Sequence, residues 1–124
     1  NGNVGIGTTT PNSLLQVSGG ISLPITSKTA DYTVLATDHT IVFTGTTASQ
    51  TITIPAPSAT AGTGNIGRIY KVVNISNQNL SLTSATATTI ATLVSGGTLV
   101  TTVTMAAGTS AFVQSDGTSW FMLK

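Results

Sequence analysis

Cysteine and glutamate are both absent from this 124-residue chain. The first absence excludes a disulfide framework and thiolate metal sites; the second leaves Asp31, Asp38 and Asp116 as the only side-chain carboxylates. Charge of either sign is scarce, at 6% of residues against roughly a quarter in an average domain. Four basic and three acidic side chains give a formal net charge of +1, too weak a field to draw nucleic acid or anionic lipid. No apolar run approaches the about 18 residues of a membrane-spanning helix, and no basic-then-apolar leader opens the chain. Neither nucleic acid binding nor membrane insertion is therefore expected. A chain that starts at Asn1 rather than Met is expected to be a fragment of a longer protein.

What the chain does contain is β-forming. Ten Ile, nine Leu, ten Val and three Phe exceed the one-fifth share below which disorder is the default, so the chain should fold as one modest domain. Thr (26) and Ser (13) must supply its surface in place of charge. Alternating runs recur at Leu15–Val17, Tyr32–Leu35, Thr40–Phe43, Thr51–Ile54, Arg68–Ile75, Leu80–Leu82, Thr98–Thr104, Ser110–Gln114 and Trp120–Leu123. Turn residues separate them, among them Pro55-Ala56-Pro57, Gly62-Thr63-Gly64-Asn65, Gly96-Gly97 and Asp116-Gly117, the last read as a hairpin. Residues 84–95 read as strand plus loop. The expectation is an all-β fold: an antiparallel β-sandwich or barrel-like module over 28–124, behind an oligomerising β segment and linker over 1–27.

The N-terminal stretch Asn3-Val4-Gly5-Ile6-Gly7-Thr8-Thr9-Thr10-Pro11 lacks the G-x-G-x-x-G order and the Gly-Lys-Ser/Thr of phosphate loops. Its glycines point instead to close backbone approach. Three lysines cannot protect the edges of about ten strands, so closure or other chains must cover them. Residues 14–23 are apolar and unpartnered in sequence. Self-association on a common axis follows, with Val4, Gly5, Ile6, Gly7, Leu15, Val17 and Ile21 as the expected contacts.

The same residues resemble a known segment. Val4-Gly5-Ile6-Gly7-Thr8-Thr9-Thr10-Pro11 followed by Leu14-Leu15-Gln16-Val17-Ser18-Gly19 is similar to the "VGIGTTSP…KLxVxG" segment of bacteriophage tail fibres and large bacterial surface proteins. The remainder, from Ala30-Asp31-Tyr32 to Ser115-Asp116-Gly117-Thr118-Ser119-Trp120, resembles a module near the C-terminus of phage fibre proteins. Leu14 stands where that segment has a basic residue. The resemblance implies a parallel homotrimer, extracellular on a virion or a bacterial surface, that meets a host cell-surface glycan or protein. A bacterial adhesin or filament subunit is the alternative, and a stand-alone carbohydrate-binding domain the third.

Chemistry is hard to assemble from these residues. His39 adjoins Asp38, but neighbours on a strand face opposite ways, and no Cys, Glu or second His completes a triad or metal site. The three aspartates sit in turn contexts, where carboxylates accept backbone N–H groups. No catalytic, metal or cofactor-binding residue is assigned, and no enzyme is expected. Trp120 and Phe121 alternate on the last run, so one enters the core and the other faces a neighbour or solvent; they are the candidates for stacking on a sugar. Asn74-Ile75-Ser76 and Asn79-Leu80-Ser81 match the glycosylation pattern.

Overall fold

The computed structural model describes residues 2–86, 90–91 and 99–123, and every helix or strand element among them is a strand. In chain order these are β1 (Val4–Ile6), β2 (Leu15–Val17), β3 (Ile25–Lys28), β4 (Tyr32–Thr33), β5 (Thr40–Phe43), β6 (Gln50–Ile54) and β7 (Ile69–Asn74). They continue with β8 (Leu80–Ser84), β9 (Ile90–Ala91), β10 (Leu99–Val100), β11 (Thr102–Met105), β12 (Ser110–Ser115) and β13 (Trp120–Leu123). β1 and β2 form a separate two-stranded ribbon. The rest divide into a seven-stranded sheet, β10-β9-β13-β12-β7-β5-β3, and a four-stranded sheet, β11-β8-β6-β4.

The all-β expectation holds, but neither its barrel nor its uniformly antiparallel order does. Among the described residues no sheet closes, and the chain keeps crossing from one sheet to the other. β3, β5 and β7 each lead across to β4, β6 and β8 respectively, so β3-β5-β7 pair in parallel in one sheet and β4-β6-β8 in parallel in the other. This makes three stacked coils. Antiparallel pairing enters with β11 on β8, β12 on β7, β13 on β12 and β10 on β9. The physical reason lies at the corners: the segments after β3, β5 and β7 lack a tight hairpin pair, and the next strand carries its apolar residues to the facing layer.

Register aligns the inward side chains in rows. Thr26, Ile41, Val72 and Ala111 lie side by side in the larger sheet, and Tyr32, Ile52, Leu82 and Val103 in the smaller. Ile41, Phe43, Ile52, Ile54, Val72, Leu82, Val113 and Trp120 are completely buried between the sheets. At about 1.5–3 kcal/mol per buried large apolar side chain, these rows are the main favourable term in the fold.

Polar residues close the ends of the core. On the first coil, Lys28 faces inward with its Nζ 3.8 Å from the centre of the Tyr32 ring. The Tyr32 hydroxyl donates to Asp38 Oδ2 at 2.8 Å. In the same row of the larger sheet, two strands away, Asn74, fully buried, donates from Nδ2 to the carbonyls of Gln78, Met105 and Ala106. The long 55–68 connection is tied down by Asn65, whose Nδ2 donates to the Ala56 carbonyl while Oδ1 accepts from Ser58 N and Ser115 Oγ.

Two local expectations change, and a third lies largely outside the described residues. Residues 25–28, assigned largely to the linker, form β3 inside the larger sheet. The single run expected over 98–104 splits at Thr101, where the chain leaves the seven-stranded sheet for the four-stranded one. Of the 84–95 strand-plus-loop reading, residues 87–89 and 92–95 lie outside the described residues, as do Gly96 and Gly97.

Candidate functional site

One exposed apolar surface is the N-terminal ribbon. β1 and β2 run parallel, with Val4 beside Leu15, Gly5 beside Gln16 and Ile6 beside Val17. Side chains two apart share a face, so Val4, Ile6, Leu15 and Val17 make one apolar side. Val4 is 53% exposed, Ile6 57% and Leu15 62%, and Leu14, Ile21, Leu23 and Ile25 are open as well. The ribbon is held by its own polar groups: Val4 N donates to the Leu14 carbonyl, Ser18 N to Ile6, and Asn12 N to Gln16 Oε1.

The two glycines expected at a meeting of chains have their reason within one chain. A Cβ at Gly5 would overlap the Thr8 carbonyl oxygen. Gly7 has φ +74°, and a Cβ there would come within 2.9 Å of the Ser18 carbonyl oxygen. Both residues are exposed, as are Val4, Ile6, Leu15 and Ile21, while Val17 is half-buried.

The outer faces of the two sheets differ. On the four-stranded sheet, Thr33, Thr53, Thr83 and Thr102 form one row, and Thr51, Ser81 and Thr104 a second. Every outward side chain in those rows is a hydroxyl. On the seven-stranded sheet one row reads Ile25, Thr40, Lys71, Phe112, Leu123, and beside it stand Val42 and Val73. Phe112, Phe121 and Leu123 are about 40% exposed. The Lys71 Nζ lies 5.0 Å from the centre of the Phe112 ring.

Comparison with family models, curated proteins and solved structures found no match to this chain. Function must therefore be argued from these surfaces.

Trp120, expected as a possible surface for recognition, does not reach the surface of the chain: it is completely buried, its Nε1 donates to the Pro55 carbonyl at 2.8 Å, and its ring tilts against Tyr70 at 5.4 Å. The phase of β13 is set by Trp120 and Met122 pointing inward, which turns Phe121 out. Asp38 and His39 do not act as a pair. Asp38, 7% exposed, accepts from Thr26 Oγ1, Tyr32 Oη and Leu35 N, whereas His39 Nδ1 lies 3.0 Å from Thr40 Oγ1. Each aspartate accepts a backbone N–H, but Asp31 Oδ1 accepts from Thr51 N, 20 residues away on β6, whereas Asp116 Oδ1 accepts from Thr118 N and Ser119 N within its own turn. Those two backbone donors lower the Asp116 pKa. Burial raises that of Tyr32, with its hydrogen bond to Asp38 adding to it. Among the described residues no three His, Cys, Asp or Glu side chains gather in a metal-binding group. Asn74 is buried and hydrogen-bonded at both ends of its amide, which removes the first glycosylation match.

One polar cleft went unread in the sequence. Ala48, Ser49, Asn77, Gln78, Asn79 and Ser81 line a volume of about 500 Å³ where two coil corners stack. Ser49 has φ +63°, a backbone conformation that is costly outside glycine. The lining has amides and hydroxyls but no ionisable side chain, and Ser81 joins it to the hydroxyl face. Only the parallel stacking of β5–β6 on β7–β8 brings residues 48–49 beside 77–79, and no local sequence signal encodes that.

Proposed function

We propose that this chain is a structural and receptor-facing module of a bacteriophage tail fibre, assembled as a parallel homotrimer and attaching to a bacterial host surface. The observation that carries the proposal is the ribbon: four apolar side chains share one face of two short strands, and three of them are more than half exposed. A ribbon of this size cannot bury that face within itself, and contiguous exposed apolar surface marks a contact site. Its sequence is also the part that resembles the fibre segment most closely. The host-facing surfaces are the hydroxyl rows of the four-stranded sheet and the amide-lined cleft beside them. Their lack of charge suits a neutral glycan, and three copies would multiply weak single-site binding. On this reading the module binds its receptor without chemistry.

Light scattering should give three times the 12.5 kDa chain mass at micromolar concentration. The monomer mass would remove the assembly half of the proposal. Attachment is read by binding of the fluorescently labelled trimer to an array of bacterial surface polysaccharides. Retention without shortening of the polysaccharide is expected; no retention on any array member leaves a spacer and removes the receptor role.

A further inference from the structure

We infer that a cleft under the 55–68 connection binds a carboxylate through Arg68 and Tyr70, and that the group it takes is a uronic acid unit of a surface polysaccharide. The carboxylate follows from the cleft itself; the polysaccharide rests on the receptor-facing reading.

This cleft opens beyond the end of β6 that lies away from Ser49, and its volume of about 380 Å³ falls within the range of small-molecule sites. Pro55, Gly62, Thr63 and Gly64 give it walls that are largely backbone, and Arg68 is the only ionised side chain among its lining residues. Peptide groups and a threonine hydroxyl suit a hydroxylated ring better than an apolar one. The connection is already fixed, since Asn65 ties it to Ala56, Ser58 and Ser115, so little ordering remains to oppose binding.

Two side-chain donors in the cleft are left without an acceptor. Tyr70 is 1% exposed and packs its ring against Trp120, yet its hydroxyl has no hydrogen-bond partner among the described residues, where buried polar groups are normally paired. None of the described side-chain polar atoms is both sealed from solvent and unpartnered, so the hydroxyl is the part of Tyr70 that reaches the cleft. Burial raises its pKa, with the charge of Arg68 acting against that rise and the charge of Asp38 adding to it, so the hydroxyl keeps its proton and donates across the neutral range. Arg68 offers five N–H groups. Its Nη1 donates to the Ala36 carbonyl, which braces the guanidinium against the loop between β4 and β5 and leaves the rest of the fork open. The three side-chain carboxylates are engaged elsewhere: Asp31 by Thr51, Asp38 by Thr26, Tyr32 and Leu35, and Asp116 by Thr118 and Ser119. A braced guanidinium beside a phenol donor matches a planar group of one negative charge, the carboxylate.

The test uses the full chain and oligosaccharides of glucuronate, galacturonate and mannuronate, each beside its methyl ester, which removes the charge and keeps the ring. Calorimetry should show binding of at least one acid, with its ester at least about tenfold weaker. Arg68→Gln should lose at least the same factor, and Arg68→Lys should not restore it, because an ammonium group cannot form the fork. Tyr70→Phe should weaken binding severalfold while the urea midpoint stays in place, since the hydroxyl has no partner within the chain to lose. Equal binding of acid and ester, unchanged binding in Arg68→Gln, or no binding of any of the three acids would overturn the inference. Inorganic phosphate or an oligoglutamate peptide that binds more tightly than every uronate would assign the cleft to another anion and overturn it as well. Retention on neutral polysaccharides of the array after the uronates fail would leave the receptor reading standing; retention on none would remove that reading too.

Discussion

Asp38 illustrates how much a single side chain organises here. Its carboxylate accepts from Thr26, Tyr32 and the Leu35 backbone, joining β3, β4 and the loop between β4 and β5. Asp38→Ala would leave these donors without their acceptor. We expect a loss of about 3 kcal/mol in urea denaturation, since bonds to charged groups contribute about 1.5–3 kcal/mol and do not add fully. Two tyrosines contribute to the pH dependence at the alkaline end. Burial raises the folded pKa of Tyr32 and of Tyr70 above the ordinary value of 10.0. The folded state therefore holds these protons more tightly than the unfolded one: the stabilisation is complete below that value and is lost as pH rises through the folded values. Tyr32→Phe should flatten the fall in melting temperature above pH about 10. Trp120, the only tryptophan, should emit as a buried indole and resist iodide quenching. The turn role of Asp116 was legible from sequence because an Asx turn is a local event, whereas the Thr51 partner of Asp31 and the Thr26 partner of Asp38 are long-range. The fate of Trp120 was not legible: alternation says that one of Trp120 and Phe121 points inward, and which one follows from long-range packing, with Met122 buried beside it, Tyr70 against its ring and the Pro55 carbonyl on its Nε1.

Among elements, the positions of most strands were legible and their directions were not. β5, β6, β7, β8, β12 and β13 fall where period-two runs stand in the sequence. Whether two such runs form a hairpin or pass to opposite sheets depends on the corner between them. The sole Asp-Gly pair, at 116–117, lies where β12 turns into β13, with Asp116 N donating to the Ser119 carbonyl. The corners after β3, β5 and β7 hold no such pair, and there the chain coils. β3 was missed because Pro24 and the short run behind it look like a linker, and its pairing with β5 is a long-range event. The ribbon gives this scale its own test. Gly5→Val would force the Thr8 carbonyl aside and open the β1–β2 loop. The assembly mass should fall while the melting transition of the two-sheet module shifts by less than about 0.5 kcal/mol, the ordinary range for changes outside a core. Equal loss of both would make the ribbon part of one cooperative unit.

The whole molecule is defined by how little charge it uses. With 6% charged residues and apolar contacts proposed for assembly, both its melting temperature and its oligomeric mass should stay nearly constant between about 0.01 and 1 M salt, a range over which screening would alter any charge-built interface. Strong salt dependence in light scattering would contradict this. Parallel coils are by nature open-ended, because each presents the next strand with a ready template, and a chain of threonines and valines with few charges is the composition that amyloid favours. Lys28 stands inward on the outermost strand, over the Tyr32 ring, and β4 beside it is only two residues long. An incoming segment that docked there would have to bury an ammonium group. The molecule thus carries its own stop to runaway growth, so Lys28→Val should leave the fold intact while bringing on thioflavin-positive fibrils that the parent chain resists.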